Sequence, residues 1–507
     1  MSPSRRSRQK PGEDGQKKLK LAGLVLLIFY GVSGGPFGME LIVQAGGPFY
    51  ALVGFSLLLV WAIPEAMITA ELATALPEAS GSVAWVTVAF GPFWGWMEGW
   101  LSLVSGIIDN ALYPMLFLDC LVQLLSSYHD VYSQAAQAFL QDPDSRLLLI
   151  LGITAALTWL TYRGLDVVGN LALYLSVISL TPFIAFCFVG AFYLKPERWW
   201  HGPNIDPSLC ASASDGIGTD AMLSDSGIHC YGSYRDVNWR LLLNTFFWNI
   251  NYWDSSAAFS GDVDNPGQVF PKGLKIAVVL VALSSFFPIL IGTGAAVSDS
   301  TVWTDGYFVQ LSTIIAGPWL GLWMICASAL TNIGMFVSEM SSDAWMIAGM
   351  ADRGLIPKVF GTRNVHDTPT IGVLVSAVGV VGLAYMSFVD IINMLNMIFC
   401  IAQAIEFIAF LYLRIYRSDI ERPYKVPLPT HILFAYLCLP LAFIGIIISF
   451  SSWSCIVLSV IVVVAGVLVY YVLEYCKEHS LCEFEVDNSL AQPAYVQIPE
   501  IELTPSL

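Results

Sequence analysis

The chain has 507 residues, of which 56% are hydrophobic and only 12% charged, with a mean hydropathy of +0.67. These values exclude an ordinary soluble domain and leave a protein that crosses a membrane many times. The formal charge of −16 comes with no basic groove, so nucleic acid is not an expected partner.

Apolar stretches of about 20 residues, each able to cross a hydrocarbon core about 30 Å thick, recur about twelve times. Residues 1–19 are a basic head without a signal peptide, because the first apolar run is too long and lacks a small-residue cleavage site. The first span, centred near Gly34, reads LIFYGVSGGPFGME over 27–40. Its helix formers are interrupted by Gly31, Ser33, Gly34, Gly35, Pro36 and Gly38, and the run ends on Glu40. Gly31, Ser33 and Gly35 also satisfy G-x-S-x-G, but a nucleophile elbow needs a strand-to-helix turn and a histidine partner. All six histidines fall in loops or at span ends, and no HExxH, P-loop or paired CxxC occurs. An enzyme is therefore not expected, and neither is a metal or other cofactor.

Spans two to five centre near Leu59, Ser105, Ala155 and Ile178, completing a first five-helix unit over 20–200. A polar insert at 201–238 follows, carrying Cys210 and Cys230. Two cysteines in one oxidising loop point to a disulfide, whereas the other eight read as small core residues. The sixth span, LLLNTFFWNINYWDSSAAFSGDVDNP, breaks near mid-depth with Asn249, Asn251, Asp254, Ser255 and Ser256. Spans seven to ten centre near Leu283, Ala327, Gly379 and Cys400, closing a second unit over 239–418. The tenth shows Asn393, Asn396, Cys400, Gln403 and Phe407 at helical spacing, a polar stripe turned to the bundle interior. Two further helices occupy 419–480, and 481–507 reads as an acidic, disordered tail.

Threading the spans alternately from a cytoplasmic N-terminus puts eighteen of the 23 Lys and Arg residues on the cytoplasmic side. The remaining five (Arg146, Lys195, Arg198, Arg235 and Arg240) lie on the other. That bias predicts cytoplasmic termini and an insert that is external or lumenal. Interrupted first and sixth spans, five apart, are the layout of two units repeated with inverted topology around a central site. Broken backbone at this depth is tolerated where it lines a cavity.

The segments GVSGGPFGME, IPEAMITAEL (63–72), GIIDNALYPMLFLD (106–119), FFWNINYWDSSAAFSGDVDNP (246–266), WTDGYF (303–308), NIGMFVSEMSSDAWMIAGMADRGLIPK (332–358) and RPYKVP (422–427) carry a resemblance. The chain resembles the amino acid, polyamine and organocation superfamily, and within it polyamine uptake transporters of the polyamine:proton symporter type. The long insert departs from that pattern.

The resemblance implies an all-α, inverted-repeat 5+5 (LeuT-like) core plus two helices, with alternating access at a midplane site between spans one, three, six and eight. In an amino-acid carrier of this fold, the substrate carboxylate sits on free N–H groups where the second half-helices begin. A polyamine has no carboxylate and needs separated acids with aromatic surface between them. The substrate-site expectation is Gly31, Ser33, Gly34, Glu40, Asp109, Tyr113, Trp248, Asn249, Asn251, Tyr252, Trp253 and Asp254. Glu40 has a second reading as a solvated helix end. Glu65 and Glu98 read as gate or proton-coupling residues, since no histidine lies at depth to carry a proton. Glu339 and Asp343 are expected to pair with bases such as Arg353.

The expected activity is import of putrescine, spermidine or spermine with protons, across the plasma membrane or an endomembrane. No accessory subunit is specified. The alternatives are a neutral or cationic amino-acid transporter of the same fold and, in another class, a membrane receptor for the same ligands.

Overall fold

The computed structural model describes residues 19–126, 131–200, 202, 237–295, 299–383 and 388–486. Within them, nine helices are long and apolar enough to cross a membrane, from Leu58–Ala75 to Trp453–Glu478. The first segment (Leu21–Val32 and Glu40–Gly54), the sixth (Trp239–Ile250 and Asp254–Asp262) and the short apolar helix Thr370–Gly382 are the other candidate spans. The chain is an all-helical, multi-pass integral membrane protein. Cys210 and Cys230, and with them the expected disulfide, lie outside the described residues.

Both expected breaks are present. In the first, the helix ends where Ser33 and Gly34 both donate to the Phe29 carbonyl, at 3.0 and 2.9 Å. Gly34, Gly35 and Gly38 then take φ values of 62°, 129° and 84°, which side chains resist. In the sixth, Asn251 is extended and Tyr252 takes φ 67°, a left-handed backbone that costs a non-glycine residue about 1–3 kcal/mol. A 3-10 helix, Asp254–Asp262, follows. The two breaks face each other: a Cβ on Gly31 would touch the Ser255 hydroxyl, and one on Gly38 would run into the Trp248 ring.

Two elbows mark an internal repeat. Gly91 (φ 95°, ψ 176°) turns helix Ser82–Phe90 into Pro92–Asn110, and Gly317 (φ 98°, ψ 174°) turns Tyr307–Ala316 into Pro318–Asp352. Each elbow glycine donates to a threonine carbonyl four residues back, Thr87 or Thr313, at 2.9 Å. Each threonine hydroxyl bonds a valine carbonyl one turn earlier, Val83 at 2.6 Å and Val309 at 2.9 Å. Val83, Thr87, Gly91 and Pro92 each have an identical counterpart, Val309, Thr313, Gly317 and Pro318, at one constant offset along the chain.

Leu19 pairs with Val263, Arg353 pairs with Val486, and Glu78 joins the two places by holding Arg353 and accepting from Ser260 at 3.3 Å, so both described ends of the chain lie on one face, called here the tail end. The start of the tail is docked there, with Lys358 on Glu485 and its N–H on the Glu483 carbonyl. Residues 487–507 lie outside the described residues. The opposite face, where the insert enters and leaves, is the insert end.

Candidate functional site

The third segment carries the site across the bundle. From the tail end outward it presents Ser102 and Ser105, then Asp109 and Tyr113, then Asp119 and Gln123. Asp109 is 2% exposed, and both its oxygens are held: Tyr113 Oη donates to Oδ2 and Trp248 Nε1 to Oδ1, each at 2.7 Å. Spans three and six are thereby tied through one buried carboxyl.

At the first break, Glu40 is fully buried, which overturns its reading as a solvated helix end. Its Oε2 accepts from the Gly38 N–H at 2.8 Å. At the sixth break, Glu65 Oε1 accepts from the Trp253 N–H at 2.9 Å. At each break, one backbone N–H thus already holds a carboxylate from the chain itself.

Toward the tail end, Glu65 faces Asp254, and Glu98 faces Glu406 beside them. Ser102 donates to Glu98 at 3.0 Å and Gln403 to Glu406 at 3.0 Å. Glu406 was not singled out from the sequence. The expectation for Glu339 and Asp343 fails: Arg353 grips Glu78 at 2.6 and 2.8 Å, and the two acids are buried over Gly106. Asp343 instead accepts from Ser376 at 3.0 Å.

The remaining expected residues divide. Tyr252 stacks on Phe399 with ring centroids 4.4 Å apart, and Asn251 is buried with neither side-chain polar atom hydrogen-bonded. Ser33, Asn249 and Trp253 spend their side-chain donors on local carbonyls: Gly35 at 2.9 Å, Thr245 at 2.9 Å and Ile250 at 2.8 Å. Gly34 is pressed against Met335 and Thr331 of the eighth span. These four shape the breaks.

Two cavities flank Asp109. A small one of about 20 Å³ toward the tail end is lined by Ser105, Tyr252, Asp254, Glu339 and Asp343. One of about 410 Å³ toward the insert end is lined by Phe37, Asp119, Trp248, Asp305 and Thr331. Eight deeply buried acids, Glu40, Glu65, Glu98, Asp109, Asp254, Glu339, Asp343 and Glu406, make no ion pair among the described residues. By contrast, buried Glu71 is paired with Arg414 and Arg422.

Two facing helix breaks with a buried carboxyl between them and cavities on either side are the layout expected of a membrane permease. The family model described as amino acid permease matches residues 20–467, and the chain belongs to that family, within the amino acid, polyamine and organocation superfamily. The polyamine transporter RMV1 of Arabidopsis thaliana is 40% identical over 476 residues, covering 94% of this chain and 89% of its own. The polyamine transporter PUT1 of Oryza sativa subsp. japonica is 40% identical over 490 residues, covering 96% and 84%. The branched-chain amino acid permease BcaP of Lactococcus lactis is 27% identical over 332 residues, covering 62% and 63%.

Proposed function

We propose that this transporter imports polyamines such as putrescine, spermidine and spermine, coupled to protons, by alternating access around Asp109. The observation that carries this reading is the occupancy of the two breaks. An amino-acid substrate needs backbone N–H groups for its carboxylate. Here Glu40 and Glu65 take the Gly38 and Trp253 N–H groups, leaving a site that offers carboxyls and aromatic faces to a cation. The names of the 40% identical relatives support the same substrate class.

Asp109 and Asp254 hold ammonium groups, with Tyr113, Trp248 and Tyr252 against the methylenes. Glu65, Glu98 and Glu406 form the proton path toward the tail end. The reading places twelve spans and both termini in the cytoplasm, with the protein in the plasma membrane. Its domain plan is the two five-helix units at 20–200 and 239–418, the insert at 201–238 and two helices at 419–480.

Labelled spermidine uptake into reconstituted vesicles, with unlabelled competitors, tests the substrate. Putrescine and spermine are expected to compete and leucine or arginine to leave uptake unchanged. Competition by leucine at similar concentrations would return the amino-acid reading. Saturable binding without uptake would return the receptor.

A further inference from the structure

Resting on the polyamine reading, we propose that the cavity at the insert end is a second polyamine site, anchored by Asp305 and separate from Asp109. The cavity, at about 410 Å³, is within the range of small-molecule pockets, about 300–1,000 Å³. Its walls combine the elements a linear polyammonium ligand needs. Asp305 and Asp119 bring two carboxyls, and Phe37, Trp248, Leu116 and Met335 bring aromatic and apolar surface.

The two acids are not equivalent. Asp119 is bound to Arg146 at 2.9 Å, a half-exposed pair at the rim that neutralises its charge. Asp305, an exposed residue on the turn that Gly306 makes with φ 78°, has no ion pair among the described residues. Glu40 lies within electrostatic reach of it from the first break. Two acids therefore line this space, with Glu40 near them, against one guanidinium.

An independent sign of a ligand is Thr331. It is 2% exposed, lines the cavity and has a hydroxyl with no hydrogen-bond partner, although the same helix gives Asn332 an acceptor at Ser328, 3.1 Å away. A buried hydroxyl without a partner is costly, and a turn about χ1 would present this one to an ammonium bound in the cavity. Trp248 is the floor: its ring borders the cavity, while its N–H is committed to Asp109 behind it. A polyamine held by Asp305 thus waits on the indole, one side chain away from the central carboxyl.

Spermidine titrated calorimetrically into the purified full chain is the test, with Asp305→Asn, Asp305→Glu, Thr331→Val and Asp109→Asn compared at matched monodispersity. The parent is expected to bind about two spermidines per chain. Asp305→Asn loses one class of site, with affinity there falling about tenfold or more, as truncating one partner of a charged contact does. Asp305→Glu restores it, and Thr331→Val weakens the same class while leaving the other. Asp109→Asn weakens the other class and leaves the Asp305 class in place. A single class of site untouched by Asp305→Asn and Thr331→Val would overturn the second site, with the polyamine reading intact. No spermidine binding by the parent would overturn the polyamine reading itself.

Discussion

At the scale of single residues, Asp109 separates a substrate anchor from a structural tie. Its oxygens are both occupied by neutral donors, so Asp109→Asn keeps an acceptor for Trp248 and removes the charge. If an ammonium binds there, purified Asp109→Asn and Asp254→Asn proteins lose about 2–4 kcal/mol of polyamine affinity, roughly thirtyfold or more, with folding kept. Both variants binding putrescine and spermidine within about threefold of the parent would remove these residues from the site. The burial of the two carboxyls was legible at this scale. Asp109 and Asp254 stand out because a carboxyl at mid-membrane is costly without a role. Glu406 was missed although its signal was present: the polar stripe of the tenth span continues from Gln403 to Glu406 at three residues as well as to Phe407 at four. The pairing of Glu339 and Asp343 was not legible. Sequence distance from Arg353 does not reveal that this arginine is already held by Glu78, which comes from far earlier in the chain.

At the scale of elements, the elbows at Gly91 and Gly317 are where the backbone admits only glycine. With φ near 95° and ψ near 175°, an alanine at either is expected to destabilise by about 1–3 kcal/mol. Gly152→Ala serves as the control: that glycine lies inside helix Pro143–Tyr162, where an added Cβ meets nothing within 4 Å. Thermal unfolding of purified protein should fall for both elbow variants and hold or rise for the control. Equal tolerance at all three positions would refute the strain argument. The elbows were readable in the sequence as FGPFWG and AGPWLG, yet the repeat was inferred from the broken spans instead. Side chains around the two elbows face different surroundings, so little besides the glycines, prolines and threonines had to match. The sixth break was legible as polar residues inside an apolar run, but its left-handed Tyr252 was not, because only the surrounding packing holds a tyrosine there.

At the scale of the molecule, proton coupling predicts that spermidine uptake rises as external pH falls and collapses when the gradient is dissipated. Uptake indifferent to an imposed pH gradient at fixed membrane potential would instead fit a uniporter. Topology is tested by protease added to sealed cells, which should cut within 201–238 before it reaches the tail; early tail cleavage would refute cytoplasmic termini. The constant offset between the elbows reaches further. Carried into the helices beyond them, it matches Ser102 with Ser328, Ser105 with Thr331, Leu116 with Ser342 and Cys120 with Met346. The first member of the first two pairs lines the small cavity and the second the large one; in the last two pairs this is reversed. On the alternating-access reading proposed above, one half of the chain serves as a mould for the other, and the small chamber is what the large one becomes when the halves trade shapes. A thiol-reactive cation should then label Ser328→Cys readily from the insert end in this state. Ser102→Cys should label from the opposite side only during turnover, and equal labelling of both at rest would break the mould.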